Sequence, residues 1–512
     1  MPSVLARPLS VPRLAVALAL AGCAVGPQFS KPKVSVPPDW SAAQNPHLAA
    51  RSAAESAWWK AFNDPVLDRL IDLAYRQNLP LQVAGLRIVE ARAQLGVATG
   101  RQYPQLQVAT ASASAIQLSA NTPVGAALDR TYGSFQLGFD AAWELDFWGK
   151  YRRAVEAESA ALLASVADYQ GAIVSLTAEV ARTYVGIRTF EVLIGQAQDN
   201  ARLQEESLGV AQSRFKNGAT SELDPTQATT LLQATRATIP QLQIGLQQGR
   251  NALATLLGQP PGAVEGLLAG RKEIPRAPAQ AAVGVPAEIL RRRPDIRSAE
   301  LNAAAQCARV GVAKAELYPS FTLFGTIGLE ATSGTGLTHK FFSPDSLFYT
   351  VGPRVVWPFF NYGRITNSVR VQDARLQQLL VGYRDAVLKA AQEVEDAMVG
   401  FVNGQEAVTL QQNAVTSAQR SVELAVVQYR EGAADYQRVL DAQRSLLQEE
   451  NSLAHVTSSV VTNLIALYKA LGGGWEVRQS DAVVPPETQH EMKSRTGWGD
   501  MLSPPPAPAP KQ

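Results

Sequence analysis

The stretch "GVATGRQYPQLQV" (96–108) is written a second time, with changes, as "GVAKAELYPSFTL" (311–323). In each copy a run of small apolar residues with helical character meets Tyr-Pro. Pro104 and Pro319 lack the N–H that a helix interior needs, and they push the preceding Tyr103 and Tyr318 toward extended backbone. The phrase predicts a helix-to-strand junction that the chain uses twice.

The repetition runs far beyond it. At an offset of 214 residues Trp143 falls on Trp357, Gly149 on Gly363, Phe215 on Tyr429, Gly218 on Gly432, Ala228 on Ala442 and Gly258 on Gly472. The Tyr-Pro pairs are one residue out of step, so a short insertion separates the halves. Self-similarity at a fixed offset predicts one structural unit present twice. Within a unit the order reads helix, two strands, very long helix, tight turn, helix.

The long helix is the clearest element. No Pro occurs between Gly363 and Glu431, and apolar residues recur at Leu376, Leu380, Tyr383, Val387, Ala390, Val394, Met398 and Phe401. Those spacings of three and four make a coiled-coil seam. The first-half counterpart, Tyr151 to Asn217, is also free of Pro. A helix of about 67 residues is a rod of roughly 100 Å, longer than a globular core can use.

The strands alternate. In "YGSFQLGFDAAWEL" (132–145) Phe135, Leu137, Phe139, Ala141, Trp143 and Leu145 share one parity, against Ser134, Gln136, Gly138, Asp140, Ala142 and Glu144. "SFTLFGTIGLE" (320–330) repeats the pattern, while "LFYTVGPRVVW" (347–357) and "QLQVATASASAIQL" (105–118) keep it more loosely. Segments of about ten residues with one apolar face fit transmembrane barrel strands; the edge of a soluble sandwich is the other structure with this pattern. Four strands per chain cannot close a barrel, and open edges are not tolerated in lipid. Several chains must therefore pool their strands: two would supply eight and three twelve, and spacing alone leaves both open.

Composition narrows the function. Net charge is +2, so no strong field of one sign argues for nucleic acid or acidic substrates. Hydrophobic residues make up 46% of the chain, many of them Ala, and aromatic residues only 7%, which suits closely packed helices. His47, His339, His455 and His490 have no metal-ligand spacing, and Cys307 reads as a small buried hydrophobe. There is no P-loop, dinucleotide fingerprint or nucleophile elbow, so neither an enzyme nor a cofactor is expected. At the front, Arg7 and Arg13 precede "LAVALALAG" (14–22), too short to span a bilayer and followed by Cys23. "LAGC" (20–23) reads as a lipobox, with Cys23 the lipidated residue. Ala24, rather than Asp, next to it favours the outer membrane.

The turns carry the candidate gate. They read "RFKNGATSELDPTQA" (214–228) and "QYREGAADYQRVLDAQ" (428–443). Gly218 and Gly432 suit the left-handed position after a helix end. Asp224 and Pro225 read as an N-cap followed by Pro in the first turn.

"CAVGPQFSKP" (23–32), "WWKAFNDPVLDRLI" (58–71), "LLGQPPG" (256–262) and "VPAEILRRRPDIRSAE" (285–300), in this order on a repeated scaffold, resemble the bacterial outer-membrane efflux proteins. This is the TolC family, and the likeness is to its lipoprotein branch of NodT- or OprM-like channels. The residues around Pro294 themselves read as a helix start with solvated charges, Arg291 to Arg293 before it and Asp295 and Glu300 after it. The resemblance implies a mainly α chain with a membrane β-barrel. Three copies would share a twelve-strand barrel above a coiled-coil tunnel of twelve helices, girdled by an equatorial domain. It implies an outer-membrane channel that exports small molecules as part of a tripartite pump. The partners would be two further copies, a periplasmic adaptor, an inner-membrane transporter usually of the RND type, and outer-membrane lipid.

On that plan the chain divides into a signal peptide (1–22), an N-terminal extended and equatorial segment (23–64), first-repeat helices (65–104), strands (105–145) and long helical hairpin (146–258). An equatorial linker (259–284) leads to the second-repeat helices (285–319), strands (320–357) and hairpin (358–472), then a C-terminal equatorial segment with a Pro-rich, disordered tail (473–512). The turns become the periplasmic tip, with Gly218, Ala219, Gly432 and Ala433 in the adaptor-docking turns. Tyr429 matches the family's gate tyrosine, Asp441 an acidic ring at the entrance, and Asp224 the acid of the first turn. The match breaks where one branch has a second aspartate and an arginine, since this chain has Arg438 and Ala434. Arg438 is instead placed to pair with Asp435 or Asp441, each three residues away. Two rival readings remain: the duct of a type I protein secretion system, and a non-conducting envelope scaffold, which the strands ahead of both long helices oppose.

Overall fold

The computed structural model describes residues 24–34, 39–41, 45–49, 57–123, 130–270, 272–283, 292–333, 340–478 and 481–502. The signal peptide, Cys23, residues 285–291 of the longest signature and the tail from 503 lie outside the described residues. The helices are α1 (Pro65–Gln77), α2 (Leu79–Gly100), α3 (Lys150–Lys216), α4 (Leu223–Leu256), α5 (Pro294–Ala315), α6 (Arg364–Arg430), α7 (Tyr436–Ala470) and α8 (Pro486–Arg495). The strands that matter here are β1 (Leu106–Gln117), β2 (Thr131–Leu145), β3 (Ser320–Thr332) and β4 (Leu347–Val356). Both long helices, α3 and α6, contain 67 residues.

The chain forms two compact units, each gathered from three stretches. The first comprises Met1–Pro32, Glu90–Ala164 and Ala299–Tyr383. Its centre is an antiparallel sheet in the order β1-β2-β3-β4. Register decides what each face carries. Leu137 pairs with Leu329 and Leu329 with Leu347; Phe139 pairs with Ile327 and Ile327 with Tyr349. Directly paired residues share a face, so these six lie together with Phe135, Trp143, Leu323, Val351 and Val355, and almost every one of them is exposed. The opposite face carries Gln136 and Glu330, Asp140, Thr326 and Thr350, and Glu144, Thr322 and Arg354. Thr326 Oγ1 donates to Asp140 at 2.6 Å. The two Tyr-Pro junctions are built alike: Trp143 Nε1 donates to the carbonyl of Gln102 and Trp357 Nε1 to that of Leu317, each at 3.1 Å. Residues 24–27 are pinned in this unit, where Val25 N–H donates to the Trp148 carbonyl at 2.9 Å. Gly26 lies so close to Gly311 that a Cβ on it would come within 2.5 Å of the Gly311 Cα.

The second unit comprises Lys33–Val89, Ser165–Ser298 and Arg384–Gln512. Asp64 caps α1, accepting from the Val66 N–H at 2.9 Å with Pro65 in the first turn, and its other oxygen accepts from Tyr184 at 2.7 Å. Trp58 is fully buried and stacks on Tyr468 at 5.3 Å. Along α6 the predicted seam is buried at Val387, Ala390, Val394, Met398 and Phe401. The helix start at Pro294 corrects the reading of solvated charges. Arg293 is buried, and its guanidinium donates to Asp295 at 2.8 Å, to Glu393 at 2.7 Å and to the Ala470 carbonyl at 2.8 Å. Arg292 reaches Glu476 at 2.6 Å. Burial works against the charge of Asp295, but the bonds from Arg293 more than offset it and hold the carboxyl below its ordinary value of 3.8.

Candidate functional site

The candidate site lies in the second unit, where two helical hairpins turn. Both long helices end in the same way. After α3, Gly218 N–H donates to the Phe215 carbonyl and Ala219 N–H to that of Arg214; after α6, Gly432 donates to Tyr429 and Ala433 to Gln428, all within 2.8–3.0 Å. This paired pattern satisfies the last carbonyls of a helix and needs a left-handed residue, which Gly218 (φ 70°) and Gly432 (φ 78°) supply. Gly218, Ala219, Gly432 and Ala433 are all exposed.

Beneath the turns the hairpins share one core, made of Ala211, Ala228, Leu231, Ala425, Tyr429, Tyr436, Val439 and Leu440. Tyr429 is its polar centre. Only 3% of it is exposed, and its hydroxyl donates to Asp224 Oδ2 at 2.9 Å. Thr220 Oγ1 donates to the same oxygen. Tyr436 meets the Tyr429 ring edge-on at 5.0 Å. The Arg214 guanidinium lies 4.7 Å from the centroid of the Tyr429 ring, within cation–π range. Arg214 Nη1 also donates to the Tyr429 carbonyl, and to that of Arg430 at 3.1 Å. An arginine of α3 thus caps the C-terminal end of α6. Burial first, and the carboxylate of Asp224 second, push the Tyr429 hydroxyl up to about 12.

Two sequence readings need correction. Asp224 is not the N-cap: α4 begins at Leu223 with Glu222 in the capping position, so Asp224 lies in the first turn and its carboxylate is turned to Tyr429. Arg438 makes no ion pair with Asp435 or Asp441 among the described residues. Asp441 accepts instead from Gln437 at 2.9 Å and lies 3.8 Å from Arg444, with both partners of that pair well exposed. The spacing rule allowed either neighbour, and the row Arg438, Asp441, Arg444 offered two. Asp435 is the residue before α7, in extended backbone and without a side-chain cap bond.

Arg214 went unnoticed in the sequence, although a signal existed. At the offset of 214 it falls on Gln428, as Phe215 falls on Tyr429 and Asp224 on Arg438. The contacts joining the hairpins are built where the repeats differ. Further along, α3 and α7 are joined by polar pairs: Gln443 to Ser207 at 2.7 Å, Asn200 to Glu450 at 2.6 Å and Thr189 to Ser458 at 2.8 Å.

Comparison with known proteins supports the reading independently. The family model for outer membrane efflux proteins matches residues 70–259 and again 285–473, one match per repeat. The pyoverdine export outer membrane protein OpmQ of Pseudomonas putida is 33% identical over 467 residues, covering 90% of this chain and 97% of that protein. The cation efflux system protein CusC of Escherichia coli O6:H1 is 30% identical over 465 residues, 90% of this chain and 98% of that one. Among solved structures, the outer-membrane channel OprN superposes with a TM-score of 0.83 at 33% identity, covering 89% of this chain and all of that one. A chain that is matched once per repeat, and that is alike in sequence over 90% and in fold over 89% of its length, belongs to the outer membrane efflux protein family, whose members are channels and not enzymes.

Proposed function

We propose that this outer-membrane efflux channel works as a homotrimer, the exit duct of a tripartite pump that carries small molecules from an RND-type inner-membrane transporter and a periplasmic adaptor to the outside. The observation that carries the proposal is the four-stranded sheet with one exposed apolar face, one polar face and two unpaired edges, β1 and β4. An open edge cannot face lipid, so β4 must pair with β1 of another copy. The long helix points the same way. Val381, Leu388, Val399, Leu410 and Leu424 of α6 are exposed, and their spacings of 7, 11, 11 and 14 residues place them on one line of the helix. That line is separate from the buried seam and is suited to a helix of a second copy.

The hairpin turns form the tip of the duct in this proposal, with Tyr429, Asp224 and Arg214 holding the second hairpin against the first within each chain. Asp441, Arg438 and Asp435 are exposed on the same end of α7, where they would face the entrance or the adaptor. Binding of adaptor and transporter would favour a splayed tip by making contacts that the closed tip does not offer. Cys23 would carry the lipid anchor. The test is the mass of the detergent-extracted protein, by light scattering with detergent subtracted. Three chains are expected; a monomer that keeps its β signal would defeat the proposal.

A further inference from the structure

We propose that Arg354 makes the tunnel-side end of the barrel lumen selective for anions; this inference rests on the trimeric barrel proposed above. The apolar face of the sheet must meet lipid, so the face with Asp140 and Arg354 lines the conduit. Arg354 lies in the cross-strand row Glu144–Thr322–Arg354, the polar row nearest the point where β2 gives way to α3. Its guanidinium is held 4.7 Å from the centroid of the Phe324 ring, and the side chain is exposed.

The cation is not neutralised within its own chain. Glu144 lies two strands away and is already engaged, accepting from the Tyr151 hydroxyl at 2.9 Å with Lys150 at 3.7 Å. Asp140 lies further along, in the row of Thr350, and Glu330 beyond the last pair of β3 with β4. Among the described residues Arg354 makes no ion pair. A second copy would not neutralise it either. The strand that must close against β4 is β1, "LQVATASASAIQ", which has no charged residue anywhere along it. In any register of that closure β1 offers Arg354 no carboxylate, so three guanidiniums would stand around the lumen, each backed by the Phe324 ring of its own chain. A ring of like charge in a narrow pore raises the local concentration of counter-ions, so small anions would be drawn into this end of the barrel.

The experiment is the reversal potential of the purified channel in a planar bilayer under a KCl gradient, in wild type and in a Tyr429→Phe background with a loosened tip. Arg354→Glu is expected to lower the chloride-to-potassium permeability ratio about tenfold, Arg354→Gln by less, and Arg354→Lys to leave it near wild type. Thr322→Lys, which adds a cation to the same row, is expected to raise it, and it provides a test even if the Arg354 variants do not assemble. Pores whose permeability ratio is unmoved by these changes would overturn the inference and leave the duct intact. A trimer that forms no pore in either background would remove the duct itself, and this inference with it.

Discussion

Tyr429 is held at three points: its hydroxyl by Asp224, its ring by Arg214 and Tyr436, and its carbonyl by Arg214. Tyr429→Phe deletes one hydrogen bond, about 1 kcal/mol. If three copies open together, the tip equilibrium moves by about 3 kcal/mol, roughly a hundredfold. Single-channel recording should show Tyr429→Phe open far more often than wild type, and Arg214→Gln more often still, because it loses both the ring contact and the helix cap. An unchanged open probability in both would remove this cluster from the gate proposed for the tip. Burial and the Asp224 carboxylate push the hydroxyl up to about 12, so it keeps the proton it donates to Asp224 at neutral pH and gives it up as pH rises through that value. Folding lowers the pKa of Asp295, so the folded chain binds that proton less tightly than the unfolded one. Its contribution is complete above about pH 4 and drains away as pH falls through the lower folded value. Melting in detergent at pH 5 and pH 3 should show Asp295→Asn losing part of the acid sensitivity of wild type. Of these residues the sequence made Tyr429 and Asp224 visible, but it misread the role of Asp224. A carboxylate one or two residues into a helix looks the same whether it caps its own chain or reaches a neighbour. Arg214 was visible only as a break in the repeat.

At the scale of elements, the repeat is a repetition of backbone conformation. Gly258 and Gly472 adopt φ of 65° and 69° and close α4 and α7, as Gly218 and Gly432 close α3 and α6. At Gly432 a Cβ would meet nothing nearer than 3.6 Å, and at Gly218 nothing within 4 Å, so only the conformation demands glycine. Either Gly→Ala change should cost about 1 kcal/mol, a roughly fivefold faster local opening. Amide hydrogen exchange around 214–219 and 428–433 would read it, and unchanged exchange in both variants would show that the turns are not limiting. The helices were legible because their pattern is long and unbroken, and the junctions because Tyr-Pro allows little else. The polar pairs between α3 and α7 were not. Ser207, Asn200 and Gln443 look like surface residues to any rule based on composition, and only the packing of two distant segments buries them.

At the scale of the whole molecule, the sheet was legible because alternation survives in a single strand. Its two faces became certain only with the register, which sets Leu137, Leu329 and Leu347 in one row and sends Glu144 and Arg354 to the other side. What no single-chain pattern could supply was the neighbour of each edge. Those bare edges, on β1 and β4, reach beyond architecture into inheritance. In a three-chain barrel a copy with one spoiled edge disables the two sound copies it joins. In a cell carrying both a normal and a damaged gene, working ducts therefore decline as the cube of the sound fraction, not in proportion to it. A damaged allele whose product still joins the trimer would act as a poison, while its plain deletion would be only a shortage.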